Sequence, residues 1–163
     1  MIKFLVMDVD GTLTDGKIYI GDSGEIFKAF NVKDGYGIYN IALPAGIEPV
    51  IITGRVSEIV SNRCKEIGIK KIFQGVKNKS DILQNIVPDL SQVAYIGDDI
   101  NDFECMKMIK NAGGRTGCPK DAVKKIKKMV DYISEYNGGE GAVRDYIEWL
   151  LAVQAKTLIS NYK

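Results

Sequence analysis

Short runs of apolar, often β-branched residues recur along this chain, each followed by a stretch with helical spacing, and that alternation constrains the fold more than any other feature. Runs at residues 2–9, 48–53, 71–73 and 93–97 read as strands, with weaker ones around Ala112 and over 129–133. The stronger runs are apolar nearly throughout, as expected of strands covered on both faces. A helix is expected from near Asp34, capped by that side chain, to about residues 45–46. Ser57 caps the next, with Ile59, Val60, Cys64 and Ile67 on its apolar face. Further helices are expected over 78–86, 100–110 and 141–155, and one between the two weak strands. Residues 17–20 and 25–30 flank Gly21-Asp22-Ser23-Gly24 and read as a β-hairpin. The expected fold is α/β: a doubly wound, mostly parallel, Rossmann-like sheet with helices on both faces. Residues 1–163 read as one domain, with a hairpin insert at about 17–30 and a C-terminal helix and tail at about 141–163. The tail from Lys156 is expected either to fray or to reach a neighbouring subunit.

Composition removes several function classes. The net charge of +1 offers no global attraction for nucleic acid or a membrane surface. No apolar run reaches membrane-span length, and the N-terminus lacks a signal-peptide layout, so a cytoplasmic location is expected. Cys64, Cys105 and Cys118 are too widely spaced for a zinc pair and are expected as reduced, mostly buried thiols. Lys124, Lys125, Lys127 and Lys128 interleave with Val123, Ile126 and Met129, which reads as a solvated face over a packed one. Histidine is absent. Acid–base chemistry therefore falls to carboxylates, lysine or tyrosine.

The strand ends carry the chemistry. Asp8-Val9-Asp10-Gly11-Thr12 follows the first strand directly, and residues two apart on a strand point the same way. Thr53-Gly54 closes the second parallel run, Lys79 stands at a helix start, and Gly97-Asp98-Asp99 closes a later strand with Asp102 beyond it. In a parallel sheet such ends converge on one crevice. Singly, each has a plainer reading: Thr53 a strand-end threonine, Lys79 a surface lysine, Asp99 a helix cap. Together they suit phosphoryl transfer through an aspartyl phosphate. A carboxylate nucleophile meets like-charge repulsion from a phosphomonoester, which a hard cation such as Mg²⁺ offsets. A hydroxyl and an ammonium hold the phosphoryl oxygens, and a second carboxylate serves the leaving group and then water.

These motifs, Asp8-x-Asp10-Gly11-Thr12, Thr53-Gly54, Lys79 and Gly97-Asp98-Asp99-x-Asn101-Asp102, resemble the four motifs of the haloacid-dehalogenase-like phosphatases. The resemblance implies Asp8 as nucleophile and Asp10 as general acid and base. It implies phosphate binding by Thr53, Gly54 and Lys79, and Mg²⁺ on Asp8, the Asp10 carbonyl and Asp98. Asp102 would orient Lys79, and Asp99 would lie near the metal shell. The stretches 30–38, 51–55 and 138–144 further resemble a cap-less branch acting on 3-deoxy-D-manno-octulosonate 8-phosphate, an eight-carbon sugar acid. That branch implies a homotetramer in which a neighbour's hairpin and C-terminal segment close each active site. Arg55, with Arg63 and Arg144 behind it, is then the candidate for holding the sugar carboxylate. Arginine at 55 resembles the eight-carbon branch, since phosphatases of nine-carbon sialic-acid-type 9-phosphates tend toward an acidic residue there. Plainer readings leave Arg63 covering its helix and Arg144 paired with Glu140 or Glu148. Glu140 stands where the branch commonly has a basic residue, which weakens the 138–144 loop as a carboxylate clamp and leaves its glycines equally readable as a helix-entry turn.

Three other readings stand beside this one. A receiver domain uses similar residues but places its acid pair first and its phospho-accepting aspartate on a later strand, the reverse of the order here. A non-catalytic domain related to parts of acylneuraminate cytidylyltransferases needs no intact nucleophile. A phosphomutase needs a cap, for which this chain has no space.

Overall fold

In the computed structural model, residues 1–160 are described, with side-chain surroundings through residue 156. Six strands form one sheet: β1 (Phe4–Met7), β4 (Glu48–Ile52), β5 (Lys71–Phe73), β6 (Val93–Ile96), β7 (Arg115–Cys118) and β8 (Tyr132–Ile133). Their order is β5-β4-β1-β6-β7-β8, and every adjacent pair is parallel. The chain builds outward from β1 through β4 to β5, then returns to the other side of β1 at β6. That reversal opens a crevice at the C-terminal end of β1, where such sheets bind ligands. A separate antiparallel pair, β2 (Tyr19–Gly21) and β3 (Gly24–Phe27), is the expected hairpin.

Residues alternate across the sheet and split the core in two. Leu5, Met7, Ile51, Ala94 and Ile96 face one side, where α1 (Val32–Tyr36), α2 (Glu58–Glu66) and α6 (Ala142–Ser160) pack with Ile38, Val60, Cys64, Tyr146 and Ile147. Val6, Val50, Ile52, Val93 and Tyr95 face the other, under α3 (Lys79–Ile86), α4 (Phe103–Asn111) and α5 (Lys124–Lys127) with Leu83, Met106, Ile109 and Ile126. The three thiols are buried and free, as expected, and burial pushes Cys64 up to about 11 and Cys105 and Cys118 up to about 12.

Three local expectations need correction. The first helix begins at Val32 under an Asn31 cap, and continues after α1 as a π-helical stretch, Gly37–Ala42. Asp34 does not cap it: buried, Asp34 accepts the Arg144 N–H at 2.8 Å and thereby caps the start of α6. The strand expected around Ala112 begins at Arg115, because Ala112-Gly113-Gly114 turn the chain out of α4, with Gly113 at φ 88°. The last helix runs to Ser160. Positions 161–163, the end of the expected tail, lie outside the described residues.

Candidate active site

Asp8 follows β1 immediately, and its N–H continues the ladder to the Ile96 carbonyl at 3.1 Å. Met7 pairs with Ile51 and Ile96, so Thr53 and Asp98 each lie one step past the level of Asp8 on the flanking strands. After Val9 the chain coils tightly, since the Val9 carbonyl accepts the N–H groups of Thr12, Leu13 and Thr14. Gly11 makes that turn at φ +89°, and a Cβ there would lie 2.1 Å from an Asp98 carboxylate oxygen. Glycine is thus required twice over.

Lys79, the first residue of α3, reaches the crevice floor. Its Nζ lies 2.8 Å from Asp8 Oδ1 and 2.7 Å from Asp102 Oδ1. Asp102 is fully buried and also accepts the Tyr95 hydroxyl at 2.7 Å and the backbone N–H groups of Asp98 and Asp99. All its lone pairs are engaged, so it fixes Lys79 and the Asp98 loop. Asp99 is exposed, and its carboxylate accepts the Ile100 N–H, the plainer of its two readings. Burial alone would lower the Lys79 ammonium, but Asp102 and Asp8 carry it above its ordinary value. Burial and then the Asp102 charge push Asp8 up to about 6, against the pull of Lys79. Burial, then Asp8 and Asp102, push Asp98 up to about 8.

Such crowding of carboxylates under a single ammonium asks for a cation. Oxygens of Asp8, Asp98 and Asp102 lie within 4.8 Å of one another. Asp102 is consumed as described, and the Asp10 carbonyl accepts no hydrogen bond among the described residues. Asp8, Asp98 and that carbonyl therefore make an all-oxygen set suited to Mg²⁺. Thr53 is buried with its hydroxyl unpaired among the described residues, while Gly54 beside it is exposed.

Asp10 sits in different surroundings. The hairpin's Lys28, its side chain 2% exposed, bonds Asp10 Oδ1 and lies 3.0 Å from Glu25 Oε1. Glu25 in turn accepts the hydroxyl of Ser57, the α2 cap. Arg55 is half-exposed and looser, 3.8 Å from Asp10 Oδ2 and 3.9 Å from Glu25. It is the one predicted arginine that reaches an acidic group of the site. Arg63 pairs with Glu66 and lies over the Phe30 ring, and Arg144 forks onto Glu148 in a separate cleft of about 340 Å³ shared with Lys33 and Tyr136. Neither touches Asp8, Asp10, Thr53, Lys79 or Asp98 within the described residues.

Lys28 and Glu25 escaped sequence reasoning. Strand residues three apart point to opposite faces, so the pair carried no signal. Lys28 lies just past β3, where the chain is free to fold back. The glycine loop was also underread. Gly139 N–H bonds the Thr12 carbonyl at 3.1 Å, and a Cβ on Gly138 would lie 1.9 Å from the Gly11 oxygen. The loop therefore braces the turn between Asp8 and Thr14 directly, a tertiary contact that its sequence neighbours do not announce.

No protein-family model matches the chain. The 3-deoxy-D-manno-octulosonate 8-phosphate phosphatase KdsC of Escherichia coli K12 is 43% identical over 159 residues, 95% of this chain and 82% of that protein. The chain belongs to the KdsC family of haloacid-dehalogenase-like phosphatases. Solved structures of KdsC-type enzymes agree. The Yersinia pestis phosphatase superposes with a TM-score of 0.87 at 36% identity, covering 95% of this chain and 83% of that one. The Moraxella catarrhalis phosphatase, in complex with a magnesium ion, a phosphate ion and a KDO molecule, gives 0.85 at 38% identity over 99% and 94%. The solved phosphatases thus share the fold whose strand ends hold Asp8, Thr53 and Asp98 here.

Proposed function

We propose that this protein is a magnesium-dependent phosphomonoesterase that hydrolyses 3-deoxy-D-manno-octulosonate 8-phosphate to the free sugar acid and phosphate. The observation that carries the reading is the pairing of two aspartates two residues apart, each with its own buried ammonium: Lys79 on Asp8 and Lys28 on Asp10. Bound magnesium, held by Asp8, the Asp10 carbonyl and Asp98, supplies positive charge that offsets repulsion between nucleophile and phosphate dianion. Asp8 attacks phosphorus, the ester P–O bond breaks, and the electron pair leaves on the sugar oxygen, which takes a proton from Asp10. Asp10 then takes a proton from the water that attacks the aspartyl phosphate, and the Asp8 carboxylate returns. Thr53, the Gly54 backbone and Lys79 hold the phosphoryl oxygens throughout. Arg55 at the mouth is the cation placed to meet the sugar carboxylate, ahead of Arg63 and Arg144, which pair elsewhere; a neighbouring subunit's hairpin and C-terminal segment would close the site.

Such closure fits a homotetramer. Ile18, Ile20, Ile26 and Phe27 of the hairpin are exposed, an apolar surface suited to cover by another copy. One domain over the whole chain, without a cap, and a cytoplasmic setting complete the reading; no helix among the described residues is long and apolar enough to cross a membrane. The test is phosphate release, with and without Mg²⁺, from the eight-carbon 8-phosphate and a nine-carbon 9-phosphate side by side. Preference for the eight-carbon ester supports the proposal. Preference for the nine-carbon ester moves the substrate, and inactivity on both with Mg²⁺ present overturns it.

A further inference from the structure

The hairpin contributes to the chemistry of its own chain. Lys28 is buried, and its ammonium has two partners, Asp10 Oδ1 and Glu25 Oε1. Glu25 is itself tied to Ser57, whose N–H bonds Gln74, so the arm that brings Lys28 in is anchored on α2 and on the turn after β5. Among the described residues, the second oxygen of Asp10, Oδ2, has only the half-exposed Arg55 at 3.8 Å. One carboxylate oxygen is therefore clamped from inside while the other faces the mouth.

We propose that Lys28, seated by Glu25, is a positioning residue for Asp10: it pins Oδ1 and so commits Oδ2 to exchange protons with the ester oxygen and then with water. The inference rests on the reading of Asp10 as acid and base. In the first half-reaction the P–O bond breaks, the electron pair goes to the leaving oxygen, and the proton on Oδ2 moves to that oxygen. In the second, a water proton moves to Oδ2 as the water oxygen bonds to phosphorus. A carboxylate free to rotate would present either oxygen and lose alignment at both steps.

A role in aligning the acid differs from a role in folding or binding by its dependence on the leaving group. Phenyl and p-nitrophenyl phosphate have similar shapes, but p-nitrophenolate departs with little protonic help. Lys28→Met should lower kcat for phenyl phosphate by about 10²-fold, within the range typical of general acid catalysis. For p-nitrophenyl phosphate the loss should stay under about tenfold, with KM for both esters within a few-fold of wild type. Lys28→Arg, which keeps the charge, should recover part of the difference. Glu25→Gln should shift the ratio the same way but less, and it decides the matter if Lys28→Met shows no cooperative melt. Equal losses on the two esters, or a change confined to KM, overturn the proposal. Because both probes are aryl esters, wild-type turnover of them with no turnover of the sugar phosphate fails the substrate assignment alone. Wild-type inactivity on all three esters with magnesium present overturns the phosphatase reading and this proposal with it.

Discussion

Asp8 and Asp10 are two residues apart, yet different parts of the molecule hold them. Asp8 belongs to the sheet: its ammonium comes from α3, and that ammonium is fixed by Asp102, which in turn accepts the Tyr95 hydroxyl. Lys79's partners have side chains only 5% and 0% exposed. Asp10 belongs to the arm: its ammonium comes from the hairpin, and the partners of Lys28 are 19% and 17% exposed. The proposed nucleophile is thus built into the core, on an ammonium that it shares with Asp102. The proposed acid–base residue is held from a peripheral element that can vary without unmaking the sheet.

Changes on the Asp8 side should therefore be the larger. Asp8→Asn should cut turnover on the order of 10⁵-fold, as loss of a covalent nucleophile does elsewhere. Its thermal melt should match wild type; a variant with comparable phosphate release breaks the covalent mechanism. Lys79→Met strands Asp8 and Asp102 as buried charges and should cost about 3–5 kcal/mol in urea unfolding. A loss below about 1 kcal/mol would erase the distinction between core and arm.

Metal and pH sharpen the contrast further. With magnesium chelated, Asp8 at about 6 and Asp98 at about 8 keep protons that the unfolded chain, near 3.8, has released. The folded state then binds more protons, so stability should fall as pH rises from about 4 toward 8. Magnesium at 100 times its dissociation constant should restore about 2.7 kcal/mol at pH 7.5. Asp98→Asn should abolish that gain, and a magnesium shift that survives it places the cation elsewhere. On the arm, Arg55→Ala breaks only loose, half-exposed pairs and should change stability by under about 1 kcal/mol. Its effect should appear as a raised KM for the sugar phosphate; an unchanged KM removes Arg55 from substrate binding.

What was legible in the sequence follows the same division. The strands announce themselves through apolar runs, and their ends deliver Asp8, Thr53, Lys79, Asp98 and Asp102 to one place because a parallel sheet permits little else. Ser57 and Asn78 cap the helices that their positions predict. Features made by distant contact were hidden. Asp34 looked like a local cap, but burial aims it at α6, where its carboxyl rises to about 6 despite the backbone N–H groups it accepts. Lys28 carries no local signal, and only its fold back onto Asp10 and Glu25 shows its place. Gly138 and Gly139 allow two readings, a carboxylate clamp or a helix-entry turn, and neither shows their contact with Gly11, Thr12 and Thr14.

That brace has a consequence for the making of the protein. The strand bearing Asp8 precedes its neighbours β4 and β6 in the chain, and Gly139, which bonds the Thr12 carbonyl, follows them both. At ordinary translation rates the interval from Thr12 to Gly139 is roughly ten seconds. Throughout it, the turn between Asp8 and Thr14 lacks its closing contact. A nascent chain can therefore carry Asp8, Asp10, Thr53, Lys79 and Asp98 and still lack the contact that closes their turn, so competence should arrive only once Gly138 and Gly139 have been added.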